Sequence, residues 1–258
     1  MKISQKKKQY KVRDSRLYDP SSREPFELSR SKIEDFLNCP RCFYMDRRLG
    51  VAKPGTPPFQ INKAVDELLK KEFDVYRERR EPHPIMKQHG IDAVPFAHAD
   101  LGSWRNNFKG IRYLDPATNF LVFGSIDDVW QKKDGELIVL DYKATWTTKD
   151  ASLEDDWKQS WKRQLEVYQW LFRKNGFKVS DNGYFIWCNV DSDVPAFKGV
   201  LKFKIEVWPY KGDGSWVEPA LVEARKCLAS EKIPAAAPAC DYCAYKKGSA
   251  ELAASQGK

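Results

Sequence analysis

Long apolar runs are absent from this sequence. Its 258 residues contain no run of about 18 or more apolar residues, the length that a membrane-spanning helix requires. Residues 1–16, MKISQKKKQYKVRDSR, are basic and lack the apolar segment of a secretory signal. These absences predict a cytoplasmic protein with no membrane partner.

Acidic residues are fewer than basic ones. The sequence has 36 Asp and Glu against 44 Lys and Arg, which gives a formal net charge of +8. An excess of positive charge favours an anionic partner such as nucleic acid, although a soluble basic surface has the same composition. Hydrophobic residues make up 42% and aromatic residues 13% of the chain, which excludes a disordered chain and suffices for a core.

The apolar pattern divides the chain into three parts. Residues 1–24 lack an apolar period and predict a flexible basic arm, and residues 246–258 predict a flexible tail. Residues 25–245 alternate between helical spacing and a period of two, which predicts one α/β domain with a mixed central sheet flanked by helices. The first predicted helix begins near residue 28, and the other three cover 59–79, 154–177 and 215–230. The predicted strands cover 110–114, 119–131, 136–143, 183–190 and 199–210.

Two further features concern element boundaries. Ser29 or Ser31 can cap the first helix, and Glu34 stands three residues after Ser31 as in a capping box. Pro40 interrupts this helix. The connection 80–108 contains Pro, Gly and all three histidines of the chain, and its pattern assigns no element and no functional role to them.

Acidic residues stand near the ends of two predicted strands. In IVLDYKAT, residues 138–145, Asp141 and Lys143 share one face of the strand. The preceding strand carries GSIDDVW, and a hairpin through KKDG brings its Asp127 near Asp141. Two close carboxylates need a cation between them, and Mg²⁺ or Mn²⁺ prefers such oxygen ligands. The pattern predicts half of a metal-dependent phosphodiesterase site, in which Lys143 assists the attacking water, and the alternative is solvated acids paired with a surface lysine.

The long predicted helix adds two polar side chains. Gln164 and Tyr168 are four residues apart and therefore occupy one helix face. On that face they place two hydrogen-bonding groups toward the sheet, beside the acids. The alternative is an exposed Gln164 and a Tyr168 at the edge of the core.

Four of the six cysteines form two Cys-x-x-Cys pairs. CPRC contains Cys39 and Cys42, and CDYC contains Cys240 and Cys243. Each pair can hold one metal with two thiolates, and two pairs complete a tetrahedral site that joins the two ends of the domain. The alternative is four free thiols. The remaining two cysteines lie in apolar segments and predict small buried hydrophobic side chains.

The order of these motifs resembles a known family of nucleases. Gly-x-x-Asp, Asp-x-Lys and Gln-x-x-x-Tyr follow one another here as in the RecB-like branch of the PD-(D/E)XK nuclease superfamily. The resemblance implies a restriction-endonuclease-like core. It also implies that Asp127 and Asp141 are metal ligands, that Lys143 is the catalytic lysine, and that Gln164 and Tyr168 lie on the DNA side of the site.

The chain departs from that branch in its metal-binding residues. Similar AddB-type and CRISPR-associated iron–sulfur exonucleases carry a metal-binding His in the first core helix, where this chain has Asp66 as the nearest substitute. Asp is a competent ligand for Mg²⁺, and an exposed helix acid is the alternative. The iron–sulfur relatives also use one N-terminal and three C-terminal cysteines, whereas this chain has two and two. A [4Fe-4S] cluster and Zn²⁺ both accept four thiolates, so both stay open.

The combined features predict a metal-dependent deoxyribonuclease. Its expected partner is DNA, as single strands or ends, and the family resemblance points to end processing in repair, recombination or defence. No phosphate loop is present, so strand separation requires a helicase or another repair partner. The alternative is a catalytically weak or inactive nucleic-acid-binding protein or adaptor of the same fold.

Overall fold

The structure is a computed structural model that describes residues 12–55, 59–148, 152–155 and 158–256. None of the helices in this part of the chain is long and apolar enough to cross a membrane. In chain order the elements are β1 (Phe26–Ser29), α1 (Arg30–Asn38), α2 (Pro40–Arg47), α3 (Gln60–Arg79), α4 (Pro84–Gln88), β2 (Ala93–Pro95), α5 (Leu101–Trp104), β3 (Ile111–Asp115), β4 (Phe120–Gly124), β5 (Asp128–Lys132), β6 (Leu137–Thr145), α6 (Gln159–Lys174), β7 (Asn182–Val190), β8 (Phe203–Lys211), α7 (Val217–Ala229) and α8 (Asp241–Gln256).

Two mixed sheets form the centre of the fold. The larger sheet has the order β2-β5-β6-β7-β8, in which β6 and β7 are parallel and the other neighbours are antiparallel. The smaller sheet has the order β1-β4-β3, in which β1 runs parallel to β4. Helix α6 provides the crossover that the parallel pair β6 and β7 requires. Mixed sheets flanked by helices confirm the predicted α/β class.

The two faces of β6 pack into two different cores. Val139 belongs to the core that includes residues of α6 and α7, whereas Ile138, Leu140 and Tyr142 belong to the core that includes residues of α3. Successive residues of a strand alternate between faces. Asp141 and Lys143 therefore project from the same face as Val139, toward α6, while Tyr142 projects toward α3.

The predicted strand 119–131 is wrong in one respect, because it is two strands in two sheets. β4 ends at Gly124 in the smaller sheet. Residues 125–127 leave the strand path, and β5 then joins the larger sheet between β2 and β6. Within this break the backbone N–H of Ile126 donates to the carbonyl oxygen of Trp104 at 3.1 Å, which replaces a strand hydrogen bond. Asp127 consequently lies in a bend and not on a strand.

The first helix begins directly after Ser29, one of the two predicted caps, but a strand that was not predicted precedes it. Residues 26–29 pair with β4 as β1, so the helix begins only at Arg30. Ser29 occupies the N-cap position without a side-chain hydrogen bond to the helix. Glu34 forms an ion pair with Arg163 of α6 at 2.6 Å, and this long-range pair takes the side chain that a capping box needs.

Some residues outside the predicted domain limits have defined contacts or secondary structure. Tyr18, within the predicted arm, packs edge-on against Phe26 and Phe120. Helix α8 continues to Gln256, through residues for which a flexible tail was predicted. The first eleven residues and the last two lie outside the described part of the chain, and the proposed domain limits of 25–245 stay a prediction.

Candidate active site and metal centres

The carboxyl end of β6 carries a buried acid and a lysine. Asp141 has 0% exposure, and its Oδ2 forms an ion pair with Lys143 Nζ. No hydrogen-bond donor among the described residues reaches Asp141 Oδ1. Burial, together with the nearby charge of Asp127, raises the pKa of Asp141 to about 7 although Lys143 opposes the rise. Such an acid keeps a free oxygen for a further cation.

Helix α6 connects to this pair through the two polar residues predicted from the sequence. Lys143 Nζ donates to Gln164 Oε1 at 3.1 Å, and Gln164 Nε2 donates to Tyr168 Oη at 3.0 Å. Tyr168 is buried, which raises its pKa, so its hydroxyl stays protonated at neutral pH. The structure thus brings Asp141, Lys143, Gln164 and Tyr168 into one hydrogen-bonded chain.

Asp127 joins the same site from the bend between β4 and β5. Its Oδ2 accepts a hydrogen bond from the backbone N–H of Tyr142 at 2.8 Å. Because Tyr142 lies between Asp141 and Lys143, this bond fixes Asp127 beside them. A bend, unlike a strand, lets the carboxylate turn back toward the neighbouring strand.

Asp66 faces the site from α3 and is not an exposed helix acid. Its side chain is 29% exposed, and Oδ2 lies 2.7 Å from Lys70 Nζ. Burial and the charge of Asp127 raise the pKa of Asp66. Its Oδ1 is buried and has no hydrogen-bond partner among the described residues. Asp66 and Asp127 therefore line one cleft from α3 and the bend, and Asp141 of β6 is buried close to Asp127.

The sequence analysis missed Lys70, the cation that already lies between two of these acids. Lys70 Nζ is 2.7 Å from Asp66 Oδ2 and 3.4 Å from Asp127 Oδ1. Burial opposes its charge, but Asp127 and Asp66 raise the pKa of Lys70, so it is an ammonium ion. Its spacing of four residues from Asp66 on an amphipathic helix was the available signal.

A buried ion network supports the site from behind. Asp128, with 0% exposure, accepts hydrogen bonds from Arg77 at 2.6 Å and from the Tyr142 hydroxyl at 2.9 Å. Arg105 lies 3.2 Å from Asp128 and donates to the backbone carbonyl of Asp127 at 3.0 Å. These bonds fix the bend and β6 relative to each other. Arg77 also pairs with Asp74 three residues earlier, but the contacts of the two arginines with Asp127 and Asp128 join residues 22 or more positions apart.

A cleft of about 630 Å³ is lined by Asp66, Asp127, Gln164 and Tyr168. Its basic lining residues come from α1, α3 and the segment after α5, and they can face a polyanion. The cationic side chains along the cleft are Arg30, Lys63, Lys70 and Arg105.

The acids fit a hard divalent cation. Asp66 and Asp141 each have a buried oxygen without a hydrogen-bond partner among the described residues, and Lys70 shows that a positive charge is accommodated between Asp66 and Asp127. Carboxylate oxygens are the ligands that Mg²⁺ and Mn²⁺ prefer. With Lys70 in this position, the carboxylate oxygens of the three acids do not all lie close enough to one another to share one ion. Among the described residues, only four cysteines have ligand atoms that lie so close together.

Those four cysteines form a second, separate cluster. The Sγ atoms of Cys39, Cys42, Cys240 and Cys243 all lie within 4.8 Å of one another. Burial opposes ionisation, but the backbone N–H groups of Ala237 and Cys42 lower the pKa of Cys39 to about 7. Burial raises the pKa of Cys42. The two pairs meet across the fold as predicted, in a geometry that a thiophilic metal can occupy.

Comparison with known protein families identifies the fold. A family model described as the PD-(D/E)XK nuclease superfamily matches residues 58–247. The chain belongs to the PD-(D/E)XK nuclease superfamily. Its members are generally nucleases that cleave phosphodiester bonds with the help of divalent metals. The matched region includes all five predicted catalytic residues and the CDYC pair.

Other comparisons add little to the superfamily assignment. One solved structure, described as "Crystal structure of SSO0001", is 12% identical over 83% of this chain and 81% of that chain, with a TM-score of 0.36. A search of curated proteins found no match. The resemblance is therefore confirmed for the PD-(D/E)XK superfamily, and the RecB-like branch stays a hypothesis.

Proposed function

We propose that this PD-(D/E)XK protein is a metal-dependent nuclease that hydrolyses phosphodiester bonds of DNA. The observation that carries the proposal is a cleft with a basic lining that includes Asp66, Asp127 and Gln164, with Lys143 bonded both to Gln164 and to the buried Asp141 beside it. Single strands or DNA ends are the proposed substrates. Within the RecB-like branch, the corresponding role is end processing in repair, recombination or defence, with a helicase or repair partner where strands must be separated.

The acids and the lysine divide the chemistry. Asp66, Asp127 and Asp141 would hold Mg²⁺ or Mn²⁺, which polarises the phosphate and makes a bound water a stronger nucleophile at neutral pH. The ion pair with Asp141 and the bond to Gln164 hold the Lys143 ammonium at the edge of the cleft. There it can donate to a phosphate oxygen as negative charge develops.

Gln164 and Tyr168 orient that lysine. Gln164 accepts from Lys143 through its oxygen, while its amide nitrogen donates to Tyr168. This arrangement fixes the amide orientation, because the opposite one would face Lys143 with a second donor. The amide therefore holds Lys143 in the position that the proposed reaction needs.

The cysteine cluster has a structural role in the proposed protein. The four thiolates would hold either Zn²⁺ or an iron–sulfur cluster and join α2 to α8. Such a centre couples metal binding to folding. This structural role requires neither electron transfer nor contact with the acids of the cleft.

A second candidate function is nucleic-acid binding without efficient catalysis. Lys70 supports it, because an ammonium ion between Asp66 and Asp127 competes with a divalent metal for the same oxygens. The protein would then act as an adaptor that keeps the fold and the basic cleft.

A nuclease assay separates the two functions. Labelled single-stranded DNA, double-stranded DNA and RNA are incubated with Mg²⁺ or Mn²⁺, and binding is measured in parallel. We expect Asp141→Ala and Lys143→Ala to lower cleavage of DNA by at least about 100-fold and to leave binding largely unchanged. Lys133→Ala, at the hairpin turn before β6, is the control and should cut like the wild type.

Two outcomes would contradict the nuclease proposal. The wild type could bind DNA and cut nothing with either metal, which is the result expected of the adaptor. Alternatively, Lys143→Ala could cut as well as the wild type, which would assign any observed cleavage to a contaminant or to another site.

A further inference from the structure

The sulfur atoms of the cysteine cluster are nearly in van der Waals contact. Cys42 Sγ lies 3.4 Å from Cys243 Sγ and 3.7 Å from Cys240 Sγ, and Cys39 Sγ lies 3.9 Å from Cys243 Sγ. All four sulfurs fall within 4.8 Å of one another. The three sulfur–sulfur distances from one cysteine pair to the other thus all lie between 3.4 and 3.9 Å.

This spacing matches a single tetrahedral ion. Zn²⁺ binds thiolates at about 2.3 Å, and a regular tetrahedron with that bond length has sulfurs about 3.8 Å apart. A [4Fe-4S] cluster places four irons and four sulfides between its cysteine sulfurs, which must then lie well beyond contact with one another. Sulfurs at 3.4–3.9 Å leave no room for that inorganic core.

The backbone presents the sulfurs in the way a mononuclear site requires. Cys39 is the residue before α2 and Cys42 lies in its first turn, and Cys240 and Cys243 stand in the same relation to α8. Each Cys-x-x-Cys turn therefore supplies two sulfurs from the start of a helix, where they converge on one point between α2 and α8. The distribution of two and two cysteines also departs from the one and three of the iron–sulfur relatives.

The surroundings suit the charge of such a site. Four thiolates around Zn²⁺ carry a net charge of about −2, which needs compensation in a partly buried position. The backbone N–H of Ala237 points to Cys39 Sγ at 3.5 Å. Arg41, Lys246 and Lys247 line the surface depression that contains Cys240 and Cys243. These donors and cations offset the negative charge without contacting the metal.

We infer that Cys39, Cys42, Cys240 and Cys243 hold one Zn²⁺ ion, and not the iron–sulfur cluster of the similar exonucleases. The ion fixes the start of α2 to the start of α8 and thereby closes the domain. The inference does not depend on the proposed nuclease activity, because the cluster shares no residue with the acidic cleft.

Metal analysis of the full chain tests this inference. The protein is produced with both iron and zinc in the medium, purified under anaerobic conditions without a metal-affinity column, and analysed for zinc, iron and acid-labile sulfide. We expect about one zinc per chain, no labile sulfide and a colourless protein. Replacement of zinc by Co²⁺ should produce the visible bands of tetrahedral cobalt bound to thiolates.

Matched variants locate the ion. Cys243→Ser should reduce bound zinc to well below one per chain, whereas Cys227→Ser, which changes a cysteine outside the cluster, should retain it. If Cys243→Ser does not fold, titration of wild-type thiols with a mercurial reagent should release the zinc as the four cluster thiols react. About four irons and four labile sulfides per chain, with no zinc, would overturn the inference. Equal zinc in both variants would overturn it too.

Discussion

Asp141 shows how a single residue exchanges stability for chemistry. A carboxylate with 0% exposure and an oxygen without a hydrogen-bond donor among the described residues is costly to ionise. The adjacent Lys143 offsets this cost only in part, because the pKa of Asp141 still lies at about 7. Under the proposed function the free oxygen of Asp141 binds a divalent cation, and a protein hydrogen-bond donor placed on it would block that ligand.

The raised pKa of Asp141 makes the stability of the protein dependent on pH. Between its ordinary value of 3.8 and about 7, the folded state binds a proton that the unfolded state has lost, so the contribution of Asp141 to stability falls as pH rises through this window. In buffer without added Mg²⁺ or Mn²⁺, we expect the unfolding free energy of the wild type, relative to Asp141→Asn, to fall by ~3 kcal/mol from pH 4 to pH 8.

Chemical denaturation of both proteins across this pH range measures the difference. The comparison cancels the titrating groups that do not interact with Asp141. Unfolding free energies that stay a constant distance apart at every pH would contradict the raised pKa of Asp141.

Lys70 predicts a competition between a side chain and a metal. Its ammonium group lies between Asp66 and Asp127 at 2.7 Å and 3.4 Å, so a divalent cation must displace it. We expect Lys70→Met to bind Mn²⁺ about tenfold more tightly than the wild type, because no ion pairs have to be broken. We also expect the variant to be less stable without the metal, since two close carboxylates then lack a cation.

Electron paramagnetic resonance of free Mn²⁺ gives the binding constant without any need for catalysis. Lys63→Met is the control, because Lys63 lines the same cleft from the same helix but pairs only with Glu67, at 3.6 Å. An affinity for Mn²⁺ that is the same in Lys70→Met and the wild type would exclude the competition.

At the scale of elements, the path from β4 to α6 determines the position of the active site. Gly124 ends β4 where the ring of Tyr168 passes over the backbone. A methyl group at this position would lie 2.6 Å from Tyr168 Cε1 and 3.1 Å from Cδ1. Since Tyr168 orients Gln164, and Gln164 bonds to Lys143, the absence of a side chain at Gly124 contributes to the placement of Lys143.

Gly124→Ala should therefore displace Tyr168. We expect the variant to lose about 1–3 kcal/mol of unfolding free energy through overpacking, and its DNA cleavage should fall with it under the proposed function. Gly102→Ala is the control, because a methyl group there meets no atom within 4 Å, and its stability should be unchanged or slightly higher. Denaturant titration of both variants gives the free energies, and equal stability of the two would show that the Tyr168 ring yields freely.

The elements that follow one local period could be predicted from the sequence. A period of two identified β6 and its Asp141–Lys143 face, and helical spacing identified α3 and α6. The break at 125–127 could not be predicted, because the buried residues Val122, Ile126 and Trp130 keep the even spacing of a single strand through it. β1 depends on its pairing with β4, and the connection 80–108 forms α4, β2 and α5 through contacts that no local pattern contains.

The same limit applies to the candidate site. Asp127, Asp141, Gln164 and Tyr168 stand in motifs whose order is informative, and the structure brings them together. Lys70 and the supporting arginines reach Asp127 or Asp128 from 22 to 57 positions away, as in the contact of Arg77 with Asp128, so only the folded chain reveals these contacts. A local sequence pattern records spacing and period, and it holds no information on such partners.

At the scale of the whole molecule, hard and soft ligands are kept apart. Oxygen ligands gather between α3, β6 and the bend, whereas the thiolates gather between α2 and α8. Because Mg²⁺ prefers oxygen and Zn²⁺ accepts thiolates, each proposed centre would select its own metal. The separation also lets the cysteine cluster close the domain without occupying the cleft that DNA would enter.

The net charge of +8 favours DNA binding only where basic side chains face the phosphates. Lys63 lines the cleft, and its side chain is 67% exposed. If it contacts one phosphate, removing its charge lowers the slope of log affinity against log salt by about 0.7 for single strands and 0.9 for duplexes. Lys63→Gln should therefore bind DNA more weakly at low salt, with a shallower salt dependence.

The control tests whether position or total charge is responsible. Lys133 lies at the hairpin turn, 86% exposed, before the start of β6, and Leu137 to Asp141 alone spans about 13 Å along that strand. Binding of a labelled strand is measured from low to moderate salt, with both changes introduced into Lys143→Ala so that the DNA is not cut. The two variants carry the same net charge, so a difference between their salt slopes should come only from contact with the strand. Lys133→Gln should therefore keep the salt slope of Lys143→Ala. Equal slopes for Lys63→Gln and Lys133→Gln would place the DNA outside this cleft.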